Sequence, residues 1–579
     1  MKKEVQNLAI AKLVGEMMGT NLVSDKVLDS YYPNIGTIFL NNLKHYGDKP
    51  AFGNRVGSAF EYKNWKEFCE DIFRFSDYLI KKGLEKGDRV GLITTNSYHR
   101  LVCEMSVMAC GFVSVPIFSA YPADLTNKLI DFSDLSFLVV DTQAKKDQLN
   151  LEKLSDRCIL LDQIEKVLED ETPFELNSVL AIFNSVVAED TALIMYTSGT
   201  TNFPKGVMLS HSNILSQQKS LELLWELGPS LRYLCYLPWH HSFGGLFERF
   251  LALYSGGCLC IDDSFGKNVD RLLENFDMVK PHIYFSVPRI YQEIIGRVLS
   301  DKKTKDIFFH KELQFVFTAA APLPLSTSKI FTEKKIPVIE GWGLTETSPC
   351  CTLTERSLER TPGVVGFPLP EVSVKLANDG EILVKGPNVM KGYFRCPEEN
   401  AKAFTEDNWF KTGDVGEITE DGVKILSRKD RIFKLANAEK LFPVPIEENV
   451  RKVCHYIKYI YVFGSGQVAP LALVFPNLEL LDTKLDKKEG GCASPCGMME
   501  YSNCFSSCLD KINNELVAKF ERIKNAVVIE RELSIENREL TPSMKLVPRI
   551  IEENYREYID CLVNGTPEKL PGDAHYISI

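Results

Sequence analysis

The sequence predicts an α/β protein: a large N-terminal domain of layered α/β subdomains plus a β-rich subdomain, followed by a smaller, mobile α+β C-terminal domain. Short apolar runs alternate with longer segments of helical character between about residues 89 and 141, and again from about 230 to 340. Strands that alternate with helices favour a largely parallel sheet covered by helices. From Val364 to Leu426 the chain changes to short strands broken by Gly, Asp and Asn, which predicts the β-rich part.

We assign the α/β body to residues 1–363. Its predicted strands are Val90–Ile93, Val113–Ile117, Phe137–Val140, Ala192–Tyr196, Tyr284–Val287, Gln314–Thr318 and Val338–Glu340. Its predicted helices include Leu101–Ala109 and Ala123–Phe132. A single α/β body accounts for these elements most simply.

Three further parts complete the predicted organisation. The β-rich subdomain spans residues 364–427, where Asn378-Asp-Gly and Glu420-Asp-Gly are hairpin signals. A hinge at 428–430 leads into the C-terminal domain, 431–579. The elements predicted there are an amphipathic helix at about 445–454, a strand at Ile460–Phe463 and a helix near 510–523.

The composition restricts the partners and the compartment. The chain has 67 Lys and Arg against 78 Asp and Glu, and its net charge is −11, which is a poor electrostatic footprint for nucleic acid. An anionic ligand must therefore meet positive charge that is placed locally. The sequence lacks an apolar run of about 20 residues and an apolar stretch of signal-peptide type near its start, so we expect a cytoplasmic protein. An apolar substrate would be compatible with peripheral membrane contact.

A loop rich in hydroxyl groups and glycine follows the predicted strand Ala192–Tyr196. It reads Tyr196-Thr-Ser-Gly-Thr-Thr-Asn-Phe-Pro-Lys-Gly206. Backbone N–H groups, hydroxyls and an ammonium group in one loop can wrap a polyphosphate. The spacing is not that of a Walker loop, because Lys205 precedes Gly206 and no Ser or Thr follows it directly. We interpret the segment as a phosphate-binding loop, with a polar surface loop as the alternative.

Two further segments offer groups that suit a nucleotide. Gly341-Trp-Gly-Leu-Thr-Glu-Thr347 supplies an aromatic face, hydroxyls and a carboxylate, which suit adenine and a phosphate-bound Mg²⁺. Trp409-Phe-Lys-Thr-Gly-Asp414 places one carboxylate after a glycine turn, an arrangement suited to ribose hydroxyls. Taken alone, each segment is explained equally well by capping or turn residues.

Together and in this order, the three segments closely resemble the motifs of the adenylate-forming superfamily of acyl-CoA synthetases, luciferases and adenylation domains. The resemblance extends from about residue 35 to about residue 555. Other segments at matching intervals are Pro238 with His241, Val287-Pro-Arg289, Ala320-Ala-Pro-Leu323, Gly386-Pro-Asn-Val-Met-Lys-Gly-Tyr393 and Arg428. The segments similar to long-chain fatty acid–CoA ligases are Phe433-Lys-Leu-Ala436 and Leu540-Thr-Pro-Ser-Met-Lys545.

The resemblance implies a role for each matching residue. The residues implied to bind the ATP phosphates are Thr197, Ser198, Gly199, Thr200, Thr201 and Lys205. Those implied to lie at the adenine are Ala320, Ala321, Pro322, Trp342 and Gly343, and those at the ribose are Asp414 and Arg428. The implied holders of phosphate and Mg²⁺ are Thr345, Glu346 and Thr197, and the implied acyl pocket includes His241 and Gly341.

The implied reaction is attack by a fatty acid carboxylate on the α-phosphorus of ATP, which gives acyl-AMP and pyrophosphate, followed by transfer of the acyl group to coenzyme A. Two anions must meet, so catalysis would depend on positioning and on charge neutralisation by Mg²⁺ and a lysine. The matching lysine is Lys545, which would act with Thr345 and Glu346, while the loop 196–206 grips the departing pyrophosphate. The C-terminal domain would then rotate about Asp430 and present a channel for pantetheine.

Two features bear on the acid and on the acceptor. Gly244 and Gly245 follow His241, and we interpret them as room for an extended apolar tail. Ala438 stands where long-chain ligases have glycine, and its side chain would crowd the pantetheine tunnel or require a different φ. One alternative is therefore an acyl- or aryl-adenylating ligase that loads a carrier-protein pantetheine. Another is a nucleotide-binding sensor or scaffold without turnover. The presence of all four charged site residues argues against it: Glu346, Asp414, Arg428 and Lys545.

Four cysteines form an unusual cluster in the C-terminal part. Cys492, Cys496, Cys504 and Cys508 have the spacing C-x₃-C-x₇-C-x₃-C. Four thiolates can hold zinc or an iron–sulfur cluster, although x₃ is less typical than x₂ for structural zinc. We favour a loop without metal over a metal site.

Overall fold

The computed structural model divides the chain into two compact units. The first comprises Met1–Thr412 and Ile418–Lys424, and the second comprises Gly413–Glu417 and Ile425–Ile579. The structure describes residues 21–24, 26–28, 31–170, 172–197, 203–319, 323–359, 361, 363–454, 456–478, 498–516, 518–541 and 544–579.

One large sheet of the first unit carries the predicted phosphate loop at its edge. Its strands, in spatial order and within the described residues, are Gly392–Tyr393, Lys205–Ser210, Thr191–Thr197, Val113–Pro116, Arg89–Ile93, Phe137–Val140 and Cys158–Leu160. The last five are parallel, and the first two run antiparallel to their neighbours. Strands such as Phe137–Val140 are buried along their whole length, because helices cover both faces of a parallel sheet.

A second large sheet lies in the same unit. In the described part of the chain, its order is Phe367–Pro368, Thr352–Leu353, Val338–Trp342, Phe315–Thr318, Ile283–Ser286, Arg232–Cys235, Cys258–Ile261, Pro50–Val56 and Ala59–Asn64. The strands from Val338–Trp342 to Pro50–Val56 are parallel. The predicted α/β class is thus confirmed. The body contains two sheets, which the sequence could not show, because a buried apolar run does not reveal which strand it pairs with.

The helices of the first unit connect these strands. The α-helices are Ile35–Tyr46, Trp65–Lys81, Tyr98–Ala109, Ala123–Ser133, Gln143–Lys146, Gln163–Leu168, Leu176–Ser185, His211–Trp225, Arg249–Tyr254, Val269–Val279, Pro288–Ser300, Lys302–Phe308, Leu325–Glu333 and Pro397–Ala403. The shorter helical turns are the 3₁₀ segments Glu152–Leu154 and Thr345–Thr347 and the π-helix Phe243–Glu248.

The β-rich part forms a smaller sheet. Its order is Asn21–Val23, Ser373–Leu376, Glu381–Lys385, Phe410–Thr419 and Gly422–Arg428 among the residues that the structure describes. Both sequence hairpin signals are confirmed, because turns at 377–380 and 420–421 connect consecutive strands. The boundary between the two units crosses the last two of these strands.

A buried ion cluster lies under the turn that precedes His241. Glu104 accepts a hydrogen bond from Nη2 of Arg249 at 3.1 Å, and Arg100 is paired with the same carboxylate. Burial alone would raise the pKa of Glu104, but Arg249 and Arg100 lower it, so the group stays ionised. Arg249 also donates to the carbonyl of Gly245 and lies 5.3 Å from the Trp239 ring. The cluster therefore fixes the chain on both sides of the turn.

The second unit has its own sheet and core. Its four described strands, in order, are Ile457–Phe463, Leu471–Pro476, Asn525–Ile529 and Ala574–Ser578, beside the small pair Phe433–Lys434 and Lys440–Leu441. Its α-helices are Pro443–Val453, Met498–Glu515, Pro548–Asn554 and Arg556–Asn564, with 3₁₀ turns at Lys429–Arg431, Lys519–Glu521 and Pro567–Lys569. Alternate residues of the first strand enter two apolar clusters, so this sheet is covered on both faces.

One predicted element of this unit is displaced. The helix expected near 510–523 runs instead over Met498–Glu515. The chain returns to the helix after its end: the side chain of Asn513 accepts a hydrogen bond from the N–H of Ile523 and donates one to the Ile523 carbonyl. A contact between residues ten positions apart leaves no periodic signal in the sequence. Among the helices described in either unit, none combines the length and apolarity needed to cross a bilayer.

Candidate active site

The ends of the predicted phosphate loop meet at the mouth of a β-hairpin. Strands Thr191–Thr197 and Lys205–Ser210 are antiparallel, with Thr197 opposite Lys205 and Tyr196 opposite Gly206. Thr197 and Lys205 therefore flank the point where the loop leaves the sheet. The predicted phosphate ligands Ser198, Gly199, Thr200 and Thr201 lie outside the described residues.

The ammonium group of Lys205 is held between an anion and an aromatic ring. It forms an ion pair with Oε2 of Glu399, which lies on helix Pro397–Ala403, and it is 5.1 Å from the centroid of the Tyr393 ring. The Lys205 side chain is only 16% exposed. Neither Glu399 nor Tyr393 was singled out as a site residue by the sequence, although Tyr393 ends one of the matching segments.

Tyr393 connects this lysine to the carboxylate of the second motif. Its strand, Gly392–Tyr393, extends the hairpin sheet, with Tyr393 opposite Val207. The Tyr393 hydroxyl lies 2.9 Å from Oε1 of the buried Glu346 and donates to it. The carbonyl of Glu346 accepts a hydrogen bond from the N–H of Met390 at 2.8 Å. The structure thus connects Lys205 and Glu346 through one tyrosine, whose ring contacts the ammonium group and whose hydroxyl binds the carboxylate.

The turn that carries Glu346 contacts the turn that carries His241. The hydroxyl of Thr345 donates to the hydroxyl of Ser242 at 3.2 Å. Nδ1 of His241 accepts from the N–H of Phe243, at 3.3 Å, where the π-helix begins. Sequence reasoning missed Ser242, whose position directly after His241 was the available signal. π-Helices are rare and frequently lie at functional sites.

The glycines after His241 have a different purpose from the predicted one. A Cβ on Gly244 would lie 2.7 Å from the carbonyl oxygen of Leu237, and one on Gly245 would lie 2.2 Å from that of Trp239. These glycines let the π-helix approach the preceding turn closely. The interpretation that they leave room for an acyl tail is therefore wrong.

Gly341 and Trp342 of the second motif end the strand Val338–Trp342, and Gly343 follows it directly. A Cβ on Gly341 would meet the Phe317 ring at 2.8 Å, and one on Gly343 would meet the carbonyl of Pro349 at 2.1 Å. Both positions thus require glycine for packing, and Trp342 lies half-buried between them. Their roles at adenine and at the acyl group stay predictions. Ala320, Ala321 and Pro322, predicted to lie at the adenine, are outside the described residues.

The predicted ribose-binding pair lies in the second unit. Nη1 of Arg428 is 2.9 Å from Oδ1 of Asp414, and the carboxylate is almost fully buried. Asp414 does not follow a turn, as the sequence suggested, because Gly413 and Asp414 lie inside the strand Phe410–Thr419. Gly413 adopts φ of 70°, and a Cβ there would lie 3.2 Å from the Arg428 guanidinium. Glycine therefore allows the arginine to approach.

The predicted hinge and catalytic lysine also belong to this unit. Asp430 is exposed in the 3₁₀ turn Lys429–Arg431. Lys545 is exposed, and its main chain is held by two hydrogen bonds to Thr541, of 2.8 and 3.1 Å. The pKa of its ammonium group is lowered, chiefly by desolvation among the surrounding protein atoms; the charge of Asp414 opposes this shift and that of Arg428 adds to it. The rotation about Asp430 and the role of Lys545 stay predictions.

Ala438 has the backbone conformation that favours glycine. Its φ is 65°, and its N–H donates to the carbonyl of Leu435 in the turn between the strands Phe433–Lys434 and Lys440–Leu441. The sequence posed two consequences of an alanine here. The alanine does not take a different φ but keeps the left-handed conformation that is open to glycine, and crowding of a pantetheine tunnel stays a prediction.

Replacing Ala438 by glycine is expected to raise the free energy of unfolding by about 0.5–1 kcal/mol, because the left-handed region is unfavourable for alanine and open to glycine. Thermal unfolding of the whole chain measures the change. Ala436→Gly, two residues earlier and also exposed, is the matched control and should lower stability by about 0.5–1 kcal/mol. Equal destabilisation by both changes would contradict the prediction.

The structure describes two of the four cysteines of the sequence cluster. Cys504 and Cys508 lie one turn apart on the helix Met498–Glu515, and Cys508 packs against the core of the second unit. Cys492 and Cys496 lie outside the described residues. Within the parts of both units that the structure describes, no three His, Cys, Asp or Glu residues are grouped to hold a metal ion.

The chain is similar to known proteins over most of its length. Long-chain-fatty-acid–CoA ligase 1 of Cavia porcellus is 25% identical over 96% of this chain and 90% of its own length. Long-chain-fatty-acid–CoA ligase 5 of Rattus norvegicus is 27% identical over 88% of this chain and 85% of its own. O-succinylbenzoate coenzyme A synthetase of Bacillus subtilis, solved with ATP and a magnesium ion, has the same fold: the TM-score is 0.71 at 20% identity, over 90% of this chain and 99% of that one.

Two family models match the chain. The model of the AMP-binding enzyme C-terminal domain matches residues 430–566. The model of the AMP-binding enzyme itself matches residues 39–394, which is more than half of the chain and includes the hairpin loop, Glu346 and Tyr393. The chain therefore belongs to the AMP-binding enzyme family.

Proposed function

We propose that this enzyme uses ATP to activate a fatty acid as acyl-AMP and then transfers the acyl group to coenzyme A, releasing AMP and pyrophosphate. The observation that carries the proposal is the contact of Lys205, Tyr393 and Glu346 at the mouth of the hairpin. A cation and a carboxylate separated by one phenol suit a polyphosphate and its Mg²⁺. The ATP and magnesium ion of the Bacillus subtilis relative support the same assignment.

The proposal assigns separate groups to the phosphates and to the ribose. Thr197, Lys205 and the intervening loop bind the phosphates, and Glu346 with Thr197 would hold Mg²⁺. Asp414 binds ribose hydroxyls while Arg428 balances its charge at 2.9 Å. A bound Mg²⁺ supplies neutralisation of phosphate charge. The buried Glu346 is oriented for this task by the Tyr393 hydroxyl.

The first step joins two anions. A carboxylate oxygen of the acid attacks the α-phosphorus, and the bond to the bridging oxygen of pyrophosphate breaks. Lys545 provides the positive charge that favours this attack, and no protein nucleophile takes part. In the second step the thiolate of coenzyme A attacks the acyl carbon, a C–S bond forms, and AMP leaves with the electron pair of the broken C–O bond.

An apolar substrate is supported by the side chains behind His241. The π-helix and the second large sheet enclose a buried aromatic cluster, in which the Phe247 and Phe317 rings stack at 4.7 Å. Phe285 lies 5.2 Å and Phe243 lies 5.7 Å from Phe317. Aromatic surroundings near His241 are more compatible with an apolar acid than with a charged one. The curated relatives, named as long-chain-fatty-acid ligases, support the same class.

Release of pyrophosphate with a panel of carboxylic acids, with and without coenzyme A, tests the proposal. We expect release with fatty acids of increasing chain length, little with dicarboxylic or aryl acids, and one thioester for each AMP formed when coenzyme A is present. Release without a thioester would favour transfer to a carrier-protein pantetheine. No release with any acid would favour a nucleotide-binding sensor or scaffold.

A further inference from the structure

The ion pair of Lys205 involves a carboxylate that also has a second cation. Oε2 of Glu399 contacts Nζ of Lys205, and Oε1 lies 3.2 Å from Nζ of Lys402, one helical turn further on. Lys205 and, to a lesser extent, Lys402 lower the pKa of Glu399, so this carboxylate is charged at neutral pH. One carboxylate is thus shared by a partly buried lysine and an exposed one.

Lys205 lies at the mouth of the hairpin. Among the described residues there, it is the cation that the proposed function assigns to the phosphates. An ammonium group has three N–H donors and no acceptor, and it attracts any anion that approaches it. Oε2 of Glu399 accepts a hydrogen bond from one of these donors. A polyphosphate drawn to Lys205 would meet the like charge of Glu399 beside it, and like charges at short range disfavour binding.

We propose that Glu399 is a positioning residue that holds Lys205 when no nucleotide is bound and that competes with the β- and γ-phosphates of ATP for it. This inference rests on the proposed ATP site. Tyr393 keeps the ammonium group beside Glu346 during the exchange, because its ring contacts Lys205 while its hydroxyl is bonded to that carboxylate.

Lys402 makes the exchange feasible. When Lys205 turns to a phosphate, Glu399 retains its contact with Lys402 and is not left as an unpaired charge. Leaving one partner of an ion pair alone is what makes the disruption of buried pairs costly. The Lys402 side chain is 71% exposed, so it can follow the carboxylate freely.

Equilibrium binding of MgATP and of AMP to the full-length protein, measured by calorimetry, tests the proposal. Glu399→Gln keeps the shape of the side chain and removes its charge. We expect the Kd for MgATP to fall about three- to fivefold, in the range of a partly exposed ion pair, and the Kd for AMP to stay within about twofold. AMP is the discriminating ligand, because it lacks the β- and γ-phosphates.

Two further variants complete the experiment. Glu398→Gln removes the same charge from the neighbouring, exposed position of the same helix and should leave both Kd values within about twofold of wild type. Lys402→Gln should have the opposite effect and weaken MgATP binding, because Glu399 then depends on Lys205 alone; it also keeps the test valid if Glu399→Gln does not fold.

The outcomes separate the inference from the function on which it rests. If wild type binds MgATP but Glu399→Gln binds it equally or more weakly, Glu399 does not compete. The same conclusion follows if AMP binding tightens as much as MgATP binding, or if Glu398→Gln reproduces the effect. If the wild-type protein binds no MgATP, the proposed nucleotide site itself is wrong.

Discussion

Replacement of Lys545 by alanine is expected to lower kcat for adenylation by a factor on the order of 10²–10³ and to leave the KM for ATP within about threefold. A charge that acts on the joining of carboxylate and phosphate stabilises the transition state more than the bound substrates. The fold should not change, because the Lys545 side chain is exposed and only its main chain binds Thr541: its carbonyl accepts from the Thr541 N–H, and its N–H donates to the Thr541 hydroxyl.

Exchange of labelled pyrophosphate into ATP measures the adenylation step of this variant. Lys569→Ala, which removes an exposed lysine from the 3₁₀ turn Pro567–Lys569 of the same unit, is the control and should behave as wild type. Transfer of the acyl group from a pre-formed acyl-adenylate to coenzyme A should also survive in Lys545→Ala. Wild-type exchange in Lys545→Ala would mean that another cation drives the attack.

The fold class could be predicted because its main signal is local. Runs such as Phe137–Val140 are buried on both faces, and their apolar sequence records this directly. The division into two sheets was not predictable in the same way. One neighbour of Val113–Pro116 is Thr191–Thr197, and one neighbour of Pro50–Val56 is Cys258–Ile261. These pairings join distant parts of the chain and leave no periodic trace.

The candidate site shows the same limit at the level of single residues. Lys205 and Glu346 could be named from motifs, because their chemistry is distinctive in a glycine-rich or hydroxyl-rich context. Glu399 could not, because Glu398 and Glu399 are chemically identical neighbours and only the direction of the helix decides which one reaches Lys205. Tyr393 ends a matching segment, but its contact with Glu346 depends on the strand that aligns it with Val207.

Replacement of Glu346 by glutamine is the second change with a large expected effect. We expect kcat/KM for ATP to fall by a factor on the order of 10², and the Mg²⁺ concentration for half-maximal activity to rise. The amide keeps the hydrogen bond from the Tyr393 hydroxyl but has no charge to attract a cation. Excess Mg²⁺ should therefore restore part of the activity, which a purely structural defect would not allow.

Two companion variants decide whether activity depends on the charge of Glu346 or on its geometry. Tyr393→Phe keeps the carboxylate and removes its hydrogen bond, so we expect a loss of about tenfold or less and an almost unchanged Mg²⁺ requirement. Glu359→Gln, at an exposed glutamate in the same unit, controls for the loss of one negative charge. If Glu346→Gln and Tyr393→Phe lose activity equally and neither responds to Mg²⁺, the carboxylate serves to hold Tyr393 over Lys205, and the metal must be bound elsewhere.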